Sequence, residues 1–262
     1  MYPVLFELGG LKVYSYGFMI AIGALSGIAY MIIQGKKEVG LTFDQGNTLF
    51  LYIFIAAFVG GKAFLFFENP SLYAHAPRKL LQGRGFVFYG SFLFAIPVML
   101  WFFKKHKLNT FKMLDVMAIT TCLVHMFGRL GCFLAGCCYG VPTDSFTGVT
   151  FTDPACYASP KNVPLHPTQL YESAYILLVM ILLLVIRGHR KFYGQLFLLY
   201  LILYAAGRSV LETFRGDEER GYLLNGYLSH AQFVALCIIA ASLYTYIRWS
   251  KVNRVGNGPT AV

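Results

Sequence analysis

A chain of 262 residues that is 57% hydrophobic and only 13% charged is neither an ordinary water-soluble domain nor a disordered one. Its formal charge of +10 comes without a basic cluster interleaved with aromatics, so nucleic acid is excluded as a partner. The charge reads instead as membrane-topology signal and attraction to anionic membrane lipids.

A helix needs about 20 apolar residues to cross a bilayer. Seven segments qualify: Ser15–Ile33, Thr48–Phe67, Phe86–Phe103, Met113–Leu134, Gln169–Arg187, Gly194–Phe214 and Leu228–Trp249. The expected fold class is an all-α membrane protein with seven transmembrane helices. It forms a single polytopic domain over residues 1–262, with 255–262 as a disordered tail. The first segment is full length and lacks a basic run before it, so it reads as a retained span, not a cleaved leader. Basic residues gather after the first, third, fifth and seventh segments: Lys36 and Lys37, Lys104 to Lys112, Arg187 to Lys191, and Arg248 to Arg254. The positive-inside rule makes that side cytoplasmic and puts the N-terminus outside. The longer polar segments 68–85, 138–168 and 215–227 then face out, and a protein that concentrates polarity on one face works there.

Charge and glycine mark the chemistry along the chain. Tyr14-Ser-Tyr16-Gly17 opens the first span, where aromatic-belt residues are the plainer reading. Lys62 follows Gly60-Gly61 inside the second span. The fourth span ends in Gly128-Arg129-Leu130-Gly131-Cys132-Phe-Leu-Ala-Gly136-Cys137-Cys138-Tyr-Gly140. A guanidinium cannot be neutralised at working pH and costs about 2.5–3.5 kcal/mol near the bilayer core unless paired or wetted. Its planar fork matches phosphate oxygens, and Gly128 and Gly131 let a helix or headgroup approach the backbone. A packing motif whose arginine snorkels to the interface is the alternative.

His166-Pro-Thr-Gln169-Leu-Tyr-Glu172 begins the fifth span. Pro167 suits the first position of a helix, whose free N–H groups favour an anion. Gln169 and Glu172 share a face, and Glu172 can hold Arg129 or Arg208. In the sixth span Arg208, Glu212 and Arg215 are spaced to share one face, as a functional set or as a self-neutralising pair that lets the helix insert.

Of the six cysteines, Cys122 and Cys237 lie within spans as packing residues. Cys132, Cys137, Cys138 and Cys156 lie at or beyond the outer end of the fourth, where a disulfide can form if the compartment oxidises. Cys137 and Cys138 are adjacent, which suits a tetrahedral metal badly and strains a disulfide, so no metal is expected. Arg129 nearby can lower a thiol pKa, which leaves a thiol site at Cys132, Cys137 and Cys138 as an alternative to inert packing. No nucleotide or other cofactor motif occurs.

Taken together, these motifs resemble the bacterial prolipoprotein diacylglyceryl transferases over nearly the whole length. Tyr16-Gly17 is similar to the first-helix motif and Gly60-Gly61-Lys62 to a Gly-Gly-Arg motif. Gly128 to Phe133 resembles Gly-Arg-Ile-Gly-Asn-Phe. His166 to Glu172 and Arg208…Glu212…Arg215 match further segments. Tyr89-Gly90-Ser91 stands where the family has His-Gly-Gly, whose histidine is important for activity. Cys132 and Cys137 stand for a signature asparagine and glutamate.

The resemblance implies transfer of diacylglyceryl from phosphatidylglycerol to the lipobox cysteine thiol of a lipoprotein precursor signal peptide. The enzyme would sit in the bacterial plasma membrane with its active site toward the outer leaflet. Arg129 and Arg208 would stabilise the phosphate, with Glu212 and Tyr89 in the catalytic set. Tyr16, Lys62, Gly128, Gly131, Cys132, His166, Gln169, Glu172 and Arg215 would line the substrate site. The base would be Tyr89, His166 or Glu172. Two other classes stay open: an intramembrane thiol enzyme, and a lipid- or precursor-binding protein without catalysis.

Overall fold

In a computed structural model, residues 2–68, 70–75, 88–215, 222–223 and 228–252 are described. The expected tail at 255–262, most of segment 68–85, and most of segment 215–227 lie outside them. A ribbon of β1 (Val4–Leu8) and β2 (Leu11–Tyr14) leads into α1 (Ser15–Val39). Then come α2 (Phe43–Glu68), α3 (Pro70–His75), α4 (Phe88–Lys105) and α5 (Thr110–Ala135). Short strands β3 (Val149–Thr150) and β4 (Pro164–Leu165) pair before α6 (Thr168–Arg187) and α7 (Gln195–Glu212). β5 (Tyr222–Leu223) and β6 (Leu228–Ser229) form a last ribbon before α8 (His230–Val252).

The protein is helical and built for a membrane. Among the described residues, six helices (α1, α2, α5, α6, α7 and α8) are long and apolar enough to cross one. The remaining expected span is α4, 18 residues long with Pro97 inside it and Lys104 and Lys105 in its last turn. Large apolar side chains that would face water in a soluble fold are exposed along these helices, among them Leu25, Phe54, Leu178, Val185 and Ile247. Lipid makes this exposure favourable.

Several boundaries differ from expectation. α1 continues to Val39 and α2 begins at Phe43, so the expected loop 34–47 shrinks to a turn. Gly40 takes φ +72° there, and Gln45 and Thr42 cap the new helix reciprocally. The last span starts at His230 because Leu228 and Ser229 are drawn into β6.

The described residues form two compact units. One holds those up to Tyr30 and from Leu114 onward; the other is Met31–Met113. In the second unit α2 packs on α4 through Gly60 and Gly90. A Cβ on either would come within 2.4 Å of the other's carbonyl oxygen. Close backbone contact is therefore what the glycines of both motifs supply. Lys62 is buried in this unit, and Tyr89 lies in the first turn of α4.

In the first unit, α5, α6 and α7 share a core of Ile119, Cys122, Ile176, Val179, Leu183 and Leu196, closed by Tyr200. α1 meets α5 through Gly23 and Gly27, where a Cβ would come within 2.9 Å of Phe127 and 2.8 Å of Val124. Tyr175 donates to the Leu203 carbonyl over Gly207, where no side chain fits. At the other end, Asp115 of α5 accepts from the N–H groups of Gly194, Leu196 and Phe197. It satisfies the open donors at the start of α7 with an ionised acceptor.

Candidate active site

The site grows from one face of α5. His125 and Arg129 lie one turn apart and meet Glu172 of α6. Arg129 Nε stands 3.1 Å from Glu172 Oε2, and His125 Nε2 stands 3.0 Å from Oε1. The Arg129 side chain is 18% exposed and the carboxylate 4%. A carboxylate this buried needs both partners. Because Glu172 is an acceptor when ionised, His125 Nε2 carries the hydrogen and donates to it. Arg129 Nε, 3.4 Å from the same nitrogen, then gives its hydrogen to Glu172. That arrangement directs Nδ1 away from Glu172.

Around this trio the sequence reading and the structure converge in part. Glu172 holds Arg129, one of its two expected partners. Arg208 pairs instead with Glu212 at 2.6 Å, one helical turn away on α7. It remains close enough to Glu172 to act on it electrostatically. Tyr16 of α1 packs on Gly131, where a Cβ would fall 3.2 Å from the Tyr16 carbonyl oxygen. Gly128 is different: a Cβ there would meet only Ile20, at 3.5 Å, so no described helix requires its backbone to be bare. His125 was missed. A lone histidine on an apolar helix reads as core, but its position four residues before Arg129 was the available signal.

The segment after α5 is built by its neighbours. Gly136 takes φ +75°, its N–H donates to the Phe133 carbonyl, and the Cys137 N–H reaches back to the Cys132 carbonyl. This is a Schellman close of the helix. Cys138 follows at φ +62°, a left-handed conformation uncommon outside glycine, asparagine and aspartate. Gln169 Nε2 donates to the Cys137 carbonyl and Thr168 Oγ1 to that of Cys138, both at 2.7 Å. Gln169 Oε1 is buried and has no hydrogen-bond partner among the described residues.

The adjacency of Cys137 and Cys138 does not keep their sulfurs apart. The sulfurs of Cys132, Cys137 and Cys138 all lie within 4.8 Å of one another. All six cysteines are free thiols. Hydrogen bonds from Cys132 and Cys137 push the Cys138 thiol down, helped by Arg129 and Arg215. The same contacts push Cys137 up. Cys156 packs buried with Phe151 beside Gly136. Cys122 is buried as expected, while Cys237 is exposed on α8.

Three further expectations change. Pro167 is the N-cap of α6 and the helix starts at Thr168. The Thr168, Leu170 and Tyr171 N–H groups bond to the His166 and Pro167 carbonyls, and the first side chains hold the cysteine loop. The start of α6 therefore holds the cysteine loop in place. His166 turns to Tyr171, 3.1 Å from its hydroxyl, and against the Phe214 ring. Arg215 lies beyond the end of α7 and off the helical face of Arg208 and Glu212. Its backbone bridges to Gly140. Gly140 is obligatory there, because a Cβ would fall 2.3 Å from the Phe214 carbonyl oxygen.

The described part of this geometry, an arginine–carboxylate–histidine cluster at the end of a membrane helix, lies in the first unit. Lys62 and Tyr89 belong to the second. A family model for prolipoprotein diacylglyceryl transferase matches residues 3–248. The phosphatidylglycerol–prolipoprotein diacylglyceryl transferase of Clostridium tetani is 37% identical over 247 residues, covering 94% of this chain and 97% of that one. The second such protein of Clostridium perfringens is 33% identical, covering 93% of each chain. That of Dehalococcoides mccartyi is 31% identical, covering 94% of this chain and 92% of its own. This chain therefore belongs to the prolipoprotein diacylglyceryl transferase family.

Proposed function

We propose that this protein transfers the diacylglyceryl group of phosphatidylglycerol to the lipobox cysteine thiol of a lipoprotein precursor, at the outer leaflet of the bacterial plasma membrane. The observation that carries this reading is the Arg129–Glu172–His125 cluster, with Arg208 in electrostatic range. The reaction forms a thioether and releases glycerol phosphate. It needs a stabilised phosphate and a deprotonated thiol.

Glu172 engages Nε of Arg129, which turns the two Nη groups into a fork for phosphate oxygens. Arg208, set by Glu212, adds the second positive charge as the leaving group separates. Tyr16, over Gly131, positions the headgroup. His125, held by Glu172, receives the thiol proton at Nδ1. Tyr89 is a poor base near pH 7 and serves better as a hydrogen-bond donor to the headgroup.

The test is complementation of a strain depleted of its own diacylglyceryl transferase. Restored growth and lipidated precursor support the reading. A chain that inserts, binds phosphatidylglycerol and leaves the precursor unmodified would make it a binding protein.

A further inference from the structure

We infer that Cys132, Cys137 and Cys138 form a three-thiolate site for zinc, whose fourth position takes the acceptor thiol of the precursor. This rests on the transferase reading above. It adds a metal to it and names the group that activates the nucleophile.

The argument begins with geometry. The three sulfurs lie within 4.8 Å of one another. Zinc–sulfur bonds of about 2.3 Å in a tetrahedron put sulfurs about 3.8 Å apart. The backbone already carries the unusual part. Left-handed residues at Gly136 and Cys138 turn two consecutive side chains to the same side, and Gln169 and Thr168 hold the carbonyls between them. A left-handed cysteine costs about 1–3 kcal/mol and persists only where its surroundings impose it. Inert packing gives no reason to impose it.

Ligand number comes next. Among the described residues no fourth histidine, cysteine or carboxylate joins the cluster. Structural zinc sites are closed by four protein ligands, whereas catalytic ones keep three and leave a position for substrate. Sulfur donors select soft or borderline cations and disfavour magnesium and calcium. Three thiolates around a divalent ion leave one negative charge, and Arg129 and Arg215 stand in electrostatic range of Cys138 to balance it.

The substrate reaction supplies the fourth ligand. A thiol that coordinates zinc is deprotonated outright. The acceptor S–H proton passes to His125 and on to water. The sulfur then attacks the glyceryl carbon next to phosphate. A C–S bond forms, the C–O bond breaks, and its electron pair leaves with glycerol phosphate. No oxidant or reductant is consumed. Arg129 stands in electrostatic range of both Cys132 and Cys138, which sets the phosphate-binding arginine beside the metal-bound thiol.

Cobalt(II) reports the site directly. Purified reduced protein in detergent should take up one cobalt with a thiolate-to-cobalt absorption band. Cys132→Ser, Cys137→Ser or Cys138→Ser should each weaken it, and Cys237→Ser should leave it intact. A lipobox peptide should intensify the band, and the same peptide with serine for cysteine should not. Stripping zinc should slow transfer about a hundredfold, as loss of thiol activation does, and re-addition should restore it. Absence of the band in reduced wild-type protein would overturn the site. So would a disulfide among the three thiols that forms in the presence of zinc. A band indifferent to the peptide thiol would overturn the activation. If the band and its peptide response appear while neither metal state transfers lipid, the site stands and the transferase reading falls.

Discussion

At the scale of single residues, Arg129 carries the strongest demand. Its charge is partly buried, and Glu172 occupies only the Nε edge. Arg129→Ala should lower transfer by about a hundred- to a thousandfold, the usual cost of losing a positioned oxyanion donor. Arg129→Lys should recover little, because a point charge cannot bind phosphate bidentately. Assays on purified protein with labelled phosphatidylglycerol check this; near-normal turnover by the lysine variant would exclude the fork.

Arg208 and Glu212 should separate in a different way. Arg208→Ala removes charge from the site and should chiefly lower kcat. Glu212→Ala leaves a partly buried guanidinium without its 2.6 Å partner, so it should also reduce folded yield. Yield by size-exclusion fluorescence, read beside turnover, distinguishes the two. Equal yields would show that the pair has no structural part.

At the scale of elements, Asp115 ties α5 to the start of α7 through three backbone N–H groups. Asp115→Ala orphans those donors and should cost about 2–4 kcal/mol, since hydrogen bonds to a charged group contribute about 1.5–3 kcal/mol each and are not additive. Asp115→Asn should keep part of the capping and lose less. Thermal unfolding in detergent should rank wild type above asparagine above alanine. An alanine variant as stable as wild type would show that water replaces the carboxylate.

Hydropathy revealed the helices but not this bond. Asp115 and Gly194 are 79 positions apart, and nothing local connects them. The same limit explains the thiols. Adjacency argued against a shared point, and only the φ of +62° at Cys138 reverses that argument. Arg129 and Glu172 were legible because charge in an apolar helix demands a partner. A neutral histidine demands none, so nothing in the hydropathy marks His125. Arg215 was misplaced because spacing of i to i+3 assumes a helix that here stops at Glu212.

At the scale of the whole molecule, the proposed outer-leaflet site makes a prediction about topology. Lysines or arginines stand in the last turn of α1, of α4 and of α6. The cysteine loop, the β3–β4 ribbon and the start of α6 follow the C-terminal end of α5. In the topology proposed from the positive-inside rule, Arg129 stands at the outer end of its span. Phe146, 99% exposed in the loop after α5, and His189, exposed between α6 and α7, sample the two faces. In intact cells a membrane-impermeant maleimide should modify Phe146→Cys and spare His189→Cys. After permeabilisation both should react. Mass spectrometry of the peptide bearing each new cysteine separates the signal from native thiols. Labelling of His189→Cys alone in intact cells would invert the topology and put Arg129 at the inner leaflet. The lipobox acceptor, and with it any zinc-bound thiol at Cys132, Cys137 and Cys138, would then have to be reached from the cytoplasm.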